Sequence, residues 1–180
     1  MKTYAAFLRG INVGGNTLIN MKELVSLFEK NQFSNVHSHI NSGNIVFQSN
    51  ENSNKLNELI KNLIINKYLI PVEVIIKTKD ALRNIIENCP YKKDEDDLSK
   101  RLVAMLSESI NKSKESLLKH DQSIIESYYI DHNLLYIYYI NGVGKSKFSN
   151  NYIEKKLNVT STSRNWNTLL KMLEIMNTYG

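Results

Sequence analysis

Two short segments of this chain combine residue types that suit an anion. The first, Gly142-Val143-Gly144-Lys145-Ser146-Lys147, sets two cations, a hydroxyl and a pliable backbone just ahead of a predicted helix. Helix N-termini expose unpaired N–H groups and carry partial positive charge, so these are the parts of a phosphate or carboxylate site. The segment is not a Walker A loop, because Tyr139 stands where that loop needs its first glycine. The second segment, Gly10-Ile11-Asn12-Val13-Gly14-Gly15, lies between a predicted strand and a predicted helix, where phosphate loops sit. Asn12 takes the third position, which the dinucleotide fingerprint reserves for glycine, so that fingerprint fails. Arg9 precedes this loop, and Arg164-Asn165 precede the last helix beside Trp166 at its start; guanidinium forks match phosphate or carboxylate. Ser42 and Asn44 flank Gly43 in a predicted turn. The expected ligand-binding set is therefore Arg9, Asn12, Ser42, Asn44, Lys145, Ser146, Lys147, Arg164, Asn165 and Trp166. The competing expectation is that Arg9 and Arg164 pair with carboxylates and brace the fold.

Other chemistry finds less support. His37 and His39 share one strand face, but no Cys pair or H-E-x-x-H helix accompanies them, so no metal site is expected. They read as solvent-facing or turn-capping histidines. Cys89, the one cysteine, precedes Pro90 and reads as a partly buried structural thiol, since it can form neither an internal disulfide nor a thiolate cluster. No serine stands in a G-x-S-x-G elbow, and no triad is recognisable, so no catalytic residue is assigned. The run Asp94-Glu95-Asp96-Asp97 lacks the alternating ligands and glycine of an EF-hand and reads as a solvated loop. Tyr136, Tyr138 and Tyr139 invite a base-stacking reading, but the first hairpin lacks the paired aromatics of an RNA-recognition signature. Ordinary sheet packing accounts for them, with Tyr136 and Tyr138 on one face and Tyr139 on the other. No cofactor is expected.

Charge narrows the partners. The 180 residues carry a net +5, unevenly placed: +4 over residues 1–79, −3 over 80–144 and +4 over 145–180. An anion-binding surface should draw on the two basic ends. No run approaches the ~18 uncharged apolar residues of a membrane span. Met1-Lys2-Thr3 leads straight into a strand without the apolar stretch of a signal peptide. The expected compartment is the cytoplasm. The 24 asparagines are scattered and read as surface usage.

These residues must be held by definite elements. Tyr4 to Leu8 reads as a buried strand, and Asn20 as the cap of a helix striped by Met21, Leu24, Val25 and Phe28. Val36, Ser38 and Ile40 alternate with the histidines, Asn41 to Asn44 turns, and Ile45-Val46-Phe47 returns. Leu56 to Ile64 forms a second amphipathic helix and Val72 to Ile76 a strand. The order is βαββαβ, the ferredoxin-like order. Asp80 to Cys89 is a linking helix. The order then repeats with a strand at Leu102–Leu106, a helix at Glu115–Lys119, strands at Ile124–Ile130 and Leu134–Ile140, a helix at Phe148–Leu157 and a strand at Val159–Ser163. Trp166, Leu169, Leu170, Leu173 and Met176 stripe a final helix. The fold class is α+β: two ferredoxin-like modules with antiparallel sheets, residues 1–79 and 80–180, plus a linking helix and a C-terminal helix.

Taken in order, Tyr4 to Gly15, Ile40 to Phe47, Gly142 to Lys147 and Thr162 to Thr168 resemble the bacterial family known as domain of unknown function 1697. Asn41 stands where that family usually has Gln, and Ser163 where it often has Thr. The resemblance implies a bacterial cytoplasmic protein with ferredoxin-like modules, and no activity. The function expected from the residues is a binding module for a phosphate-bearing ligand, either a nucleotide-like small molecule or nucleic acid. The alternatives are a small metal-free enzyme acting on a phosphorylated or acyl substrate, and an interaction scaffold.

Overall fold

The computed structural model describes residues 1–12, 18–91 and 97–179. The chain divides into two compact units, Met1–Glu87 with Leu169–Gly180, and Asn88–Thr168. In the first, β1 (Lys2–Leu8), α1 (Met21–Lys30), β2 (Ser34–His39), β3 (Asn44–Ser49), α2 (Ser53–Tyr68) and β4 (Val74–Thr78) follow the βαββαβ order. Their sheet runs β2-β3-β1-β4, antiparallel throughout. α3 (Lys79–Glu87) follows. The second unit repeats the plan with β5 (Arg101–Leu106), α4 (Lys112–Lys119), β6 (Ser127–Asp131), β7 (Leu134–Tyr138), α5 (Asn150–Leu157) and β8 (Ser161–Asn165). Its sheet runs β6-β7-β5-β8, again antiparallel. The last helix, α6 (Trp166–Asn177), begins in the second unit, and its residues from Leu169 onward count with the first. The boundary expected at 79/80 thus lies later, with α3 and most of α6 belonging to the first unit.

β1 is apolar on both faces, so it takes a central place. Tyr4, Ala6 and Leu8 join Leu24, Phe28, Phe47, Leu56, Ile60 and Ile64 in a core beneath α1 and α2. Ala5 and Phe7, on the opposite face, are just as fully buried. α3 packs against β1 and β4. β5 behaves likewise: Ala104 and Leu106 pack with Leu118, Leu135, Ile137, Tyr139, Phe148, Ile153 and Leu157, while Val103 and Met105 are buried on the other side.

Several local expectations change. Of the β2 alternation only Val36 is buried; a register shift between Ser34 and His37, with Asn35 left-handed, disrupts the ladder. Ile40 has left the strand for a left-handed turn and is exposed. β6 starts at Ser127, later than Ile124, because Asp121 accepts bonds from the Ser123 N–H and Oγ–H in a turn. α4 starts earlier than Glu115, at Lys112, because Asn111 caps it by accepting from Lys114 N–H at 2.9 Å.

Gly43 is fixed by its surroundings. Its φ is +74°, and an added Cβ would lie 2.8 Å from Leu8 Cβ and 2.9 Å from Ile11 Cγ1. Gly10, at φ +72°, has open space around the same position. Gly43→Ala combines left-handed strain with overpacking and should destabilise by about 2–4 kcal/mol. Gly10→Ala meets the strain alone and should cost about 1–2 kcal/mol. Urea unfolding of the two variants checks the order; equal costs would mean that Leu8 and Ile11 yield freely.

Candidate functional site

One end of the first sheet gathers the N-terminal candidates. Arg9 N–H donates to Glu73 O and Leu8 N–H to Gly43 O, both at 2.8 Å, which joins the end of β1 to β4 and to the β2–β3 turn. Asn12, with φ +55°, accepts from Ile19 N–H at 2.7 Å. Its amide donates to Ile19 O at 3.0 Å and to Asn41 O at 2.6 Å. The carboxamide therefore joins Asn12 to Ile19 and to the hairpin at Asn41. Asn44 is fully buried and donates to Ser42 Oγ and His39 O. Both amides are engaged in holding backbone. Val13 to Thr17, including the expected Gly14 and Gly15, lie outside the described residues.

Beside this corner lies an open depression of about 700 Å³ whose lining includes Asn12, Ile19, Asn20, Met21, Lys22 and Asn41. It sits where α1 begins. Asn20 caps the helix, accepting from Lys22 N–H at 2.9 Å. Lys22 is exposed on the rim. Sequence reasoning missed Lys22, although a lysine two positions after an N-cap, following a loop with glycines, was a readable signal.

The second unit places its candidates at one end of its own sheet. Arg101 pairs with Tyr138 and Leu102 with Asn165, so the residues after β7 and those at the close of β8 share that end. Gly142, at φ +86°, opens a short 3-10 turn through Lys145. Lys145 and Lys147 are exposed. Ser146 Oγ accepts from Phe148 N–H at 2.9 Å, and Ser149 caps α5. The strand ahead of this loop is antiparallel, unlike the parallel strand before a P-loop.

Arg164 and Trp166 are buried. Arg164 Nη1 donates to Ser163 O at 2.8 Å, and burial pulls its guanidinium down to about 10. Charge survives at neutral pH. Arg101 holds its guanidinium 6.0 Å from the Trp166 ring centroid, a cation–π contact. Asn165 is exposed and caps the next helix, accepting from Thr168 N–H and Oγ–H. Of the ten candidates, Arg9, Asn12, Ser42 and Asn44 belong to the first unit and the other six to the second.

Other groups fall where their chemistry allows. His37 stacks on Tyr179 at 5.2 Å between centroids and hydrogen-bonds the Tyr179 hydroxyl through Nε2. Burial, then the Lys171 cation, lower the pKa of His39. Cys89 is buried, with its Sγ 3.8 Å from Tyr91 O. Tyr136 and Tyr139 are buried, and the Tyr139 hydroxyl donates to Phe148 O at 2.7 Å. No group of three His, Cys, Asp or Glu among the described residues could hold a metal ion, and no described helix is long and apolar enough to cross a membrane.

One charged cluster escaped the sequence reading. Asp121 accepts from Lys156 Nζ at 2.6 Å, from the Tyr152 hydroxyl and from both donors of Ser123. Lys156, followed by these other donors, holds its carboxyl well below the ordinary 3.8, and the same contact raises Lys156. The i, i+4 spacing of Tyr152 and Lys156 on α5 was the available clue.

A family model described as "Protein of unknown function (DUF1697)" matches residues 1–136. No curated protein matches the chain. The solved structure of a conserved bacterial protein from Streptococcus pneumoniae superposes with a TM-score of 0.71 at 21% identity. The match covers 97% of this chain and 98% of that one. At that identity the likeness establishes the fold alone.

Two predictions follow from the bonding. Asn12→Ala orphans the Ile19 N–H and two carbonyls and should cost about 1–3 kcal/mol in urea unfolding; a neutral result would show the loop closes without it. Asp121, with its folded pKa depressed, adds stability above its unfolded value that is lost as pH falls toward the folded one. The urea midpoint difference between wild type and Asp121→Asn should therefore be greatest at neutral pH and shrink below pH ~4. A difference independent of pH would remove the charge from the account.

Proposed function

Because the chain belongs to the DUF1697 family, whose name carries no activity, we propose a function from the geometry: a binding module for a small phosphate-bearing ligand. The observation that supports this reading is the depression at the start of α1, about 700 Å³ in volume and rimmed by Lys22, Asn20 and Asn41. A concavity of this size suits a nucleotide-sized molecule. The positive end of α1 and the Lys22 ammonium favour an anionic group there, and the rim carboxamides offer hydrogen bonds to its uncharged portion. The net +4 of residues 1–79 adds a long-range attraction of the same sign.

A second reading, nucleic-acid binding, draws on a different observation: Lys145 and Lys147 are both exposed on one loop of the second unit. Phosphodiester contacts of that kind weaken steeply as salt is added.

A thermal-shift titration with inorganic phosphate, nucleoside and sugar phosphates and short oligonucleotides separates the readings. A small phosphate compound at 100 times its Kd should stabilise by about 2.7 kcal/mol, a rise of roughly 5–10 °C in Tm. Lys22→Ala should abolish that rise, and Lys145→Ala with Lys147→Ala should leave it unchanged. Stabilisation by oligonucleotides only, lost on adding salt and in the double variant, would replace the first reading with the second. No shift with any phosphate compound would defeat both.

A further inference from the structure

Each four-stranded sheet has two edges, and three of the four edge strands are tended. β2 carries its register shift, and Asn35 there donates to Gln48 Oε1 at 2.6 Å. On β4, the Asn57 amide of α2 donates to Val74 O. On β8, Glu154 of α5 accepts from Ser161 N–H at 2.6 Å and the Asn150 amide donates to Ser161 O at 3.2 Å. These are devices that keep an open strand edge from pairing. β6 has none of them. Its ladder with β7 is unbroken from Ser127 to Asp131. Its sequence, Ser127-Tyr128-Tyr129-Ile130-Asp131, contains no lysine, proline or glycine. Among the described residues, no hydrogen bond from outside the β6–β7 ladder reaches the backbone of these five.

The turn geometry says which groups are offered. Asp131 and Leu134 close a two-residue turn at His132 and Asn133, with His132 left-handed. Such a closing pair is hydrogen-bonded, and bonded pairs alternate along an antiparallel ladder. Asp131, Tyr129 and Ser127 therefore bond inward to β7. Tyr128 and Ile130 direct their N–H and C=O groups outward.

We propose that this edge pairs with the same edge of a second copy of the chain, antiparallel and two-fold about Tyr129. In that register Tyr128 of each copy faces Ile130 of the other, and each pair exchanges both backbone bonds, so every outward group is matched. The parity is the one an antiparallel ladder requires. The side chains fit as well. Tyr128 opposite Ile130 is an aromatic to β-branched pair, Tyr129 meets Tyr129 as an aromatic pair, and Ser127 meets Asp131 as hydroxyl to carboxylate. No carboxylate faces its own copy. Tyr129 is 51% exposed and already leans on Tyr136, 6.4 Å away between centroids, so the new pair extends an aromatic surface. A self-complementary patch of this kind gives a closed two-fold assembly and not a fibre.

Sedimentation velocity on the full chain from micromolar to millimolar concentration tests the pairing. The wild type should pass from monomer to dimer, and amide hydrogen exchange should slow with concentration at Tyr128 and Ile130. Tyr129→Lys places two like charges on the axis and should leave a cooperatively folded monomer whose Tm does not change with concentration, while Tyr129→Phe should still dimerise. A wild type that stays monomeric to millimolar concentration overturns the proposal, even if an added peptide binds the edge. So does a dimer that persists in Tyr129→Lys, or one whose Tyr128 and Ile130 amides exchange at a concentration-independent rate.

Discussion

A central strand with water on neither face dictates the plan of each unit. β1 buries Tyr4, Ala6 and Leu8 on one side and Ala5 and Phe7 on the other. Burying a strand twice needs partners on both sides, because each apolar side chain left in water forfeits roughly 1.5–3 kcal/mol. The ferredoxin-like order supplies one cover with its two helices, and the small Ala5 and Ala6 let neighbouring layers approach closely. β5 repeats the solution with Val103 and Met105 opposite Ala104 and Leu106. With the middle strands committed in this way, the loops at the strand ends become the places where polar groups can gather.

Those loops are held by carboxamides. Asn12 fastens the loop after β1 to the β2–β3 turn, and Asn44 ties that turn to His39 and Ser42. Asn20, Asn52 and Asn111 cap helices, and Asn165 does the same for α6. Asn12, Asn35 and Asn158 take the left-handed backbone that a short polar side chain tolerates better than most. Several of the asparagines that look like surface usage in the sequence are joints of the molecule. A corner built on such joints has its shape set by groups that are themselves occupied, with the Lys22 side chain exposed beside them.

How much of this was legible follows the range of the signal. The strand order and both antiparallel sheets were readable because the continuous apolar runs of β1 and β5 and the 3.6-residue periodicity of α1 and α6 are local, strong signals. The Asn20 cap was readable for the same reason. The register shift in β2 was not, because Val36, Ser38 and Ile40 alternate in the sequence while the ladder slips between Ser34 and His37, where Asn35 turns left-handed. The Asp121 cluster joins residues more than thirty positions apart, so no window of sequence contains it. Among the candidate site residues, chemical type was visible but engagement was not. Arg164 and Lys145 look equally available as cations in the sequence, yet one is buried and the other exposed.

The discontinuity of the first unit carries a consequence for biosynthesis. Thr3 Oγ1 and the Gln48 amide both donate to Tyr179 O, 176 and 131 positions away in the chain. Leu169, Met172 and Met176, all fully buried, belong to that unit too. A nascent chain can form βαββαβ early, but its own last helix emerges only after the whole second unit has been made. At translation rates of about 5–20 residues per second, the first sheet waits several seconds or longer for these partners. Over that interval an N-terminal half with an unfinished apolar surface is a natural client for a chaperone that holds emerging chains.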